Sequence, residues 1–320
     1  MRAYIIKRIA LIIPTLFFVS LIVFALVRFV PGSAVDLMAG EMAAMAGVGT
    51  EITRGDIMSK LGLDMPVHVQ YVSWLGGVIQ GDLGRSIWTD RPITQDILKR
   101  VPISLQLGLI ALASTFVISI PIGVYSAIRQ DTIGDYIARS FAILMIAVPS
   151  FWIATMVMVF PSIWWDWSPP LEYVPFSVDP LANLRILILP ALILGLMHGG
   201  TTMRMTRTMM LEVLKQDYIR TAWAKGLRER LVVMRHAVKN ALIPVVTIIG
   251  FGIPTLIGGS VVIETIFNLP GIGRLMIDAI NQRDYPVISG INLMMATAIL
   301  FVNLSVDLTY AYLDPRIRYT

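Results

Sequence analysis

The sequence contains no cysteine, and its three histidines, His68, His198 and His236, are far apart. The lack of cysteine excludes disulfides, iron–sulfur clusters and thiolate zinc sites, and the histidine spacing does not suggest a metal cluster. No lysine is followed by serine or threonine, so the phosphate-binding Walker A loop is also absent. The sequence therefore shows no signature of an ATPase or of a thiol-based redox centre.

Charge is scarce, since 15% of the 320 residues are charged, against about 25% in soluble domains. The net charge is +5, but the basic residues cluster between long uncharged runs. This pattern is typical of a chain that crosses a membrane several times. It does not favour nucleic-acid binding.

Six uncharged runs are near or above the roughly 18–20 residues that cross a bilayer as a helix. Lipid offers the backbone no hydrogen-bond partner, so each run must be helical. The predicted fold is all-α, with kinks at prolines such as Pro149. The predicted spans are residues 9–28, 102–128, 138–165, 185–203, 240–263 and 287–311.

The distribution of lysine and arginine predicts the orientation. These residues precede the first span, follow the last, and dominate the links between spans two and three and between spans four and five. Because they accumulate on the cytoplasmic side, both termini are predicted to be cytoplasmic. Residues 1–34 could instead be a cleaved signal peptide, but their apolar run exceeds the usual length of about 7–15 residues, which favours a retained helix.

Residues 31–100 are mostly polar and are predicted to lie outside the membrane. Within them, Val67–Ile79 is apolar and contains Tyr71 and Trp74, which predicts an amphipathic helix on the outer membrane surface. Residues 81–86 (GDLGRS) indicate a turn. The segment either caps the helices or forms a docking platform for an extracytoplasmic partner, and the two roles are compatible.

Residues 204–239 form the largest predicted cytoplasmic feature, which we call the 204–239 segment. Two helical stretches flank Gly226, and Leu227, Leu231, Met234 and Val238 follow α-helical spacing as one apolar stripe. Such an element can bind in a groove of another protein by its small and apolar face. It can equally lie on an anionic membrane surface, and the pattern alone does not decide between the two.

Several motifs resemble one family. Residues 217–227 (DYIRTAWAKGL) and 235–244 (RHAVKNALIP) resemble the coupling loop of binding-protein-dependent ABC importer permeases, most closely the dipeptide/oligopeptide permeases, which include nickel permeases. Further similar motifs follow in the family's order along nearly the whole chain. They are residues 81–84 (GDLG), 135–136 (DY), 148–152 (VPSFW), 270–273 (PGIG), 283–286 (RDYP) and 313–319 (LDPRIRY).

The resemblance implies a type I importer permease, non-catalytic and without a cofactor of its own, in a bacterial inner membrane. It implies a second related permease, two ABC ATPase subunits that bind ATP and Mg²⁺, and an extracytoplasmic solute-binding protein. Peptides are the first expectation for the solute, with nickel, glutathione-like compounds and oligosaccharides as alternatives. The implied ATPase-coupling residues are Asp217, Tyr218, Arg220, Thr221, Ala222, Lys225, Gly226 and Leu227.

Polar residues within or beside the spans are candidates for the pathway or a gate. These are Glu264, Gln106, Ser150, Asn303 and His198, although hydrogen bonds between helices are the commoner use of such residues. Asp307 is expected to be structural, and Gly195 and Gly199 to allow close helix packing. A proton-coupled secondary transporter is the alternative class, but the two halves of the chain show no internal symmetry.

Overall fold

The computed structural model describes residues 2–29 and 64–313, and in this part of the chain the regular structure is helical, as predicted. The helices are α1 (Arg2–Phe29), α2 (Val67–Ile79), α3 (Ile93–Ser114), α4 (Ile120–Ile128), α5 (Ile133–Ala147), α6 (Ser150–Trp165), α7 (Pro180–Leu214), α8 (Asp217–Ala224), α9 (Glu229–Leu231), α10 (Lys239–Ile266), α11 (Ile272–Asn281) and α12 (Tyr285–Leu313). Two π-helical turns, π1 (Thr115–Ser119) and π2 (Val232–Val238), join α3 to α4 and α9 to α10. Residues 31–63 of the predicted external segment and the side chain of Asp307 lie outside the described residues.

The membrane-spanning character of the chain is evident from its longest helices. Four stretches are long and apolar enough to cross a membrane, namely Ile93–Ile128, Pro180–Leu214, Glu229–Pro254 and Tyr285–Val306. A fifth is obtained if α5 and α6 together form one span, while Ala10–Ala25 is a shorter apolar stretch within the described residues. The total of six spans therefore stays a prediction.

The third predicted span is bent far more sharply than a kink. Helices α5 and α6 meet at 97° across the break at Val148 and Pro149. Val148 has an extended backbone, with ψ 124°, and Pro149 has ψ 140°. Proline disfavours helical geometry in the residue before it, so the Val148-Pro149 pair ends one helix and begins another.

The chain divides into two compact units, the first formed by Ile103–Gly273 with Phe301–Thr320. Its central element is α7, a helix of 35 residues. The Asp179 side chain caps the start of α7 by accepting the N–H groups of Leu181 and Ala182. Apolar side chains on α7 pack with α3, α6 and the end of α10 in one core. Its fully buried members include Leu107, Leu187, Leu194, Ile263 and Phe267.

Glycines on α7 allow π1 and the end of α3 to approach closely. A Cβ at Gly195 would collide with the Ser114 hydroxyl and the Ala111 carbonyl, and one at Gly199 would lie 2.5 Å from Ser119 Oγ. The Thr115 hydroxyl donates to the Gly195 carbonyl at 2.9 Å. The packing role predicted for the two glycines is confirmed.

The second unit comprises Arg2–Pro102 with Arg274–Leu300. Helix α2 forms as predicted and packs on α1, because Ser20 Oγ and Tyr71 Oη are 2.9 Å apart and the rings of Phe24 and Tyr71 meet edge to face at 5.1 Å. The predicted turn also forms. It is held by the carboxylate of Asp284, which accepts the Ser86 hydroxyl at 2.5 Å and the Ile87 N–H at 3.3 Å.

Candidate functional site

The 204–239 segment begins inside a helix, because α7 continues to Leu214 before α8 starts at Asp217. Helix α8 ends at Ala224, and Gly226, two residues further on, has a φ of +75°. The Gly226 N–H donates to the Trp223 carbonyl at 2.9 Å and the Leu227 N–H to the Ala222 carbonyl at 3.4 Å, which is the Schellman pattern of helix termination. The predicted break at Gly226 is confirmed, and its positive φ explains why glycine stands there.

One side of the segment is packed against the rest of the first unit. The buried residues are Ile219, Ala222, Val232, Val233 and Ala237, together with Met210 of α7, Ala127 of α4 and Ala241 of α10. Ala222, expected from the resemblance to be a coupling residue, is only 7% exposed. Its side chain packs within the buried cluster of the segment, and its coupling role stays a prediction.

The other side of the segment exposes large apolar side chains. Tyr218, Trp223, Leu231 and Met234 are 44%, 43%, 42% and 59% exposed. The Tyr218 hydroxyl accepts a hydrogen bond from Asn240 Nδ2 at 3.0 Å, which fixes the ring beside the start of α10. We call these four residues the exposed face. The remaining coupling candidates Asp217, Arg220, Thr221, Lys225 and Gly226 are also exposed, and Leu227 is half-buried.

The apolar stripe predicted from α-helical spacing is only partly formed. Leu227 and Val238 pack against the buried cluster, whereas Leu231 and Met234 are exposed. Residues 232–238 are a π-helix, and the wider turn of a π-helix rotates the positions that face inward. Val232, Val233 and Ala237 consequently take the inner face.

A buried ion pair joins the link between spans two and three to the part of α7 that begins the 204–239 segment. Asp135 is completely buried, and Arg207 Nε and Nη2 donate to its two oxygens at 2.8 Å each. The carboxylate also accepts the Ser126 hydroxyl and, at 3.0 Å, the Asp131 N–H. Asp135 lies in one of the motifs that resemble the family, but no local signal in the sequence connects it with Arg207.

Glu264, a gate candidate, is enclosed within the first unit. It is completely buried, and its oxygens accept the Ser104 hydroxyl at 2.6 Å and the Gly273 N–H at 2.7 Å. A Cβ on Gly271 or Gly273 would collide with this carboxylate. Glu264 therefore holds the turn after α10 close to α3 in this conformation.

The other pathway candidates lie in different places. Gln106 Nε2 donates to Asn183 Oδ1 at 2.5 Å, which is a bond between helices. Ser150 is half-buried at the start of α6, and Asn303 is half-buried on α12. The structure does not bring Glu264, Gln106, Ser150 and Asn303 together at one site. The fifth candidate, His198, lies near the middle of α7. Among the described residues, no group of three His, Asp or Glu side chains is arranged to hold a metal ion.

Comparison with known proteins covers the whole chain. Residues 119–319 match the family described as binding-protein-dependent transport system inner membrane component, and residues 1–108 match its N-terminal counterpart. A putative peptide transport system permease protein of Brucella abortus is 44% identical over 319 residues, covering 100% of both chains. The dipeptide transport system permease protein DppB of Escherichia coli K12 is 38% identical over 342 residues, with 100% of this chain and 99% of the relative covered.

The oligopeptide transport system permease protein AppB of Bacillus subtilis is 39% identical over 322 residues and is covered, like this chain, over its full length. A crystal structure of an amino acid ABC transporter covers 70% of this chain and 95% of its own, with a TM-score of 0.49 and 10% sequence identity.

Proposed function

The chain belongs to the family of binding-protein-dependent transport system inner membrane components, and on that premise we propose that it is a peptide-importing permease driven by an ATPase docked at the 204–239 segment. It is the membrane component of an ABC importer. Peptide is the solute that the names of its relatives support, since those with 38% to 44% identity are named as peptide, dipeptide or oligopeptide permeases.

The exposed face of the 204–239 segment supports the docking proposal. A partner that covers Tyr218, Trp223, Leu231 and Met234 removes apolar surface from water, and aromatic residues and methionine are enriched in protein interfaces. Five basic residues of the same segment are also exposed and favour an acidic partner surface. They are Arg220, Lys225, Arg228, Arg230 and Arg235, all exposed.

The buried side of the segment provides the route by which docking moves the membrane helices. Helix α8 packs on π2 and α7, and α7 is tied to the link between spans two and three by Asp135 and Arg207. A displacement of the segment is therefore carried into three spans by contacts that are already made. ATP can bias the conformation only if the ATPase contacts the segment differently in its two states.

The full assembly follows from the same proposal. It contains a second related permease, two ATPase subunits that bind ATP and Mg²⁺, and an external solute-binding protein. Both termini and the 204–239 segment lie on the cytoplasmic side of a bacterial inner membrane, as the lysine and arginine distribution predicts. This chain itself carries no Walker A sequence.

Gly226→Val tests the coupling. Gly226 has φ +75° and open space around its Cβ position, so a side chain strains the backbone by about 1–2 kcal/mol without a collision. We expect the importer to assemble and hydrolyse ATP while solute uptake per ATP falls severely, measured in proteoliposomes with a radiolabelled dipeptide. Gly81→Val is the matched control, because Gly81 also has positive φ and open space. Normal uptake per ATP in Gly226→Val would refute the coupling role.

A further inference from the structure

A cavity of about 200 Å³ lies inside the first unit, between α3 with π1, α7 and α10. At about 30 Å³ per water molecule, this volume corresponds to about seven waters, which is room for one amino-acid side chain. The cavity is open at Thr201, which is exposed. Its lining residues, none of which carries a formal charge, are Leu112, Thr115, His198, Thr201, Thr202, Ile248, Ile249 and Gly252.

His198 is the ionisable residue in this cavity, and it lies close to the middle of α7, a membrane-crossing helix of 35 residues. Ionisable side chains at membrane depth usually face a water-filled cavity or a solute pathway. The hydroxyls of Thr115 and Thr202 donate to the carbonyls of Gly195 and His198. Within the described residues, the His198 imidazole makes no hydrogen bond. A neutral imidazole offers one donor and one acceptor.

The remaining wall of the cavity is apolar and locally irregular. Leu112, Ile248 and Ile249 present hydrocarbon, and π1 begins at Thr115. Single π turns inside longer helices occur frequently at functional sites. The cavity thus combines an apolar wall with an imidazole that can donate and accept a hydrogen bond, and this combination complements one apolar residue of a peptide.

We propose that this cavity is a contact site for the transported peptide within this subunit. One apolar side chain of the solute packs against Leu112, Ile248 and Ile249, while a neighbouring backbone amide of the solute hydrogen-bonds the His198 imidazole. Burying a charged side chain without a partner is costly, so the site selects against charge at that position of the peptide. This proposal rests on the proposed function, because it assumes that the solute is a peptide.

The absence of native cysteine makes a direct test possible. Thr201→Cys places a thiol at the cavity opening, and Thr208→Cys is the matched control, since Thr208 is also exposed on α7 but does not line the cavity. Each variant is assembled into the complex in proteoliposomes and treated with a methanethiosulfonate reagent. The rate at which the introduced thiol is modified is followed by the increase in mass of this chain. With dialanine at about nine times its dissociation constant, we expect Thr201→Cys to react about tenfold more slowly and Thr208→Cys at an unchanged rate.

A second variant tests the size of the cavity. The Cβ position of Gly252 is 3.5 Å from His198 Nδ1, so Gly252→Leu fills the cavity. Uptake of dileucine should then fall by a larger factor than uptake of diglycine. Gly108→Leu, at a glycine with open space outside the cavity, should show no such size dependence.

The outcomes separate the two proposals. Suppose that the wild-type complex imports dipeptides, but dialanine protects neither cysteine variant or protects both equally. This result overturns the cavity site and leaves the proposed function intact. A wild-type complex that imports no peptide overturns both. If Gly252→Leu does not assemble, the cysteine comparison alone decides.

Discussion

The two sides of the 204–239 segment differ in what they contact. The inner side consists of small and branched apolar residues such as Ala222, Val233 and Ala237, which are buried against α7 and α10. The outer side carries Tyr218 and Met234 and leaves them exposed. The difference separates a packed side from an exposed side. Under the proposed function, the inner residues transmit position and the outer residues bind the partner.

The inner and outer sides of the segment are expected to respond differently to substitution, in the stability of the chain and in partner binding. A change on the inner side should lower the stability of the chain and affect the partner only as a consequence. A change on the outer side should weaken partner binding and leave the stability unchanged. The expected loss of stability decreases from Asp135→Asn through Ala222→Leu to Met234→Ala.

Asp135→Asn should have the largest effect on stability. The substitution leaves Arg207 partly buried without its carboxylate partner, and breaking a buried pair in this way costs about 3–5 kcal/mol. The apparent free energy of unfolding in detergent micelles measures the loss. Asp131→Asn removes an exposed charge from the same link and should be nearly neutral. Equal stability of the two variants would show that the ion pair does not hold the inner side in place.

Ala222→Leu should have an intermediate effect. Ala222 lies within the packed cluster, and overpacking a core costs about 1–3 kcal/mol. Ala224→Leu in the same helix is the control, because Ala224 is exposed. The same unfolding measurement distinguishes them, and a neutral Ala222→Leu that weakens ATPase binding would return Ala222 to the docking surface.

Met234→Ala should change stability least, by under about 0.5 kcal/mol, as expected for an exposed position. It should nevertheless reduce recovery of the ATPase subunit in a pull-down, because Met234 lies on the exposed face. Met65→Ala removes a methionine of similar exposure from the second unit and should leave recovery unchanged. Full recovery with Met234→Ala would contradict the assignment of the outer side.

Sequence analysis predicted the features that depend on local composition. The all-α class follows from long uncharged runs, because a chain in lipid has no alternative to helices or closed barrels. The break at Gly226 and the close packing at Gly195 follow from residue types whose backbone or side-chain size permits little else. The helical class, the break at Gly226 and the close packing at Gly195 can each be predicted from one continuous stretch of sequence.

Features that depend on distant residues were not predictable in the same way. Arg207 is 72 residues from Asp135 in sequence, and no local signal connects the two. The inner and outer positions around Met234 were assigned with α-helical spacing, but π2 has a different period. The motif around Pro149 indicated a kink, whereas the 97° angle depends on how α5 and α6 pack.

Helix α7 runs without interruption from the Asp179 cap to Leu214, past the His198 cavity and directly into the 204–239 segment. At 1.5 Å per residue, its 35 residues make a rod of about 52 Å. If this rod pivots near its midpoint by about 5°, each end is displaced by about 2 Å, in opposite directions. A small displacement of one end of α7 is then accompanied by an opposite displacement of the other end, and the pivot point lies beside the cavity.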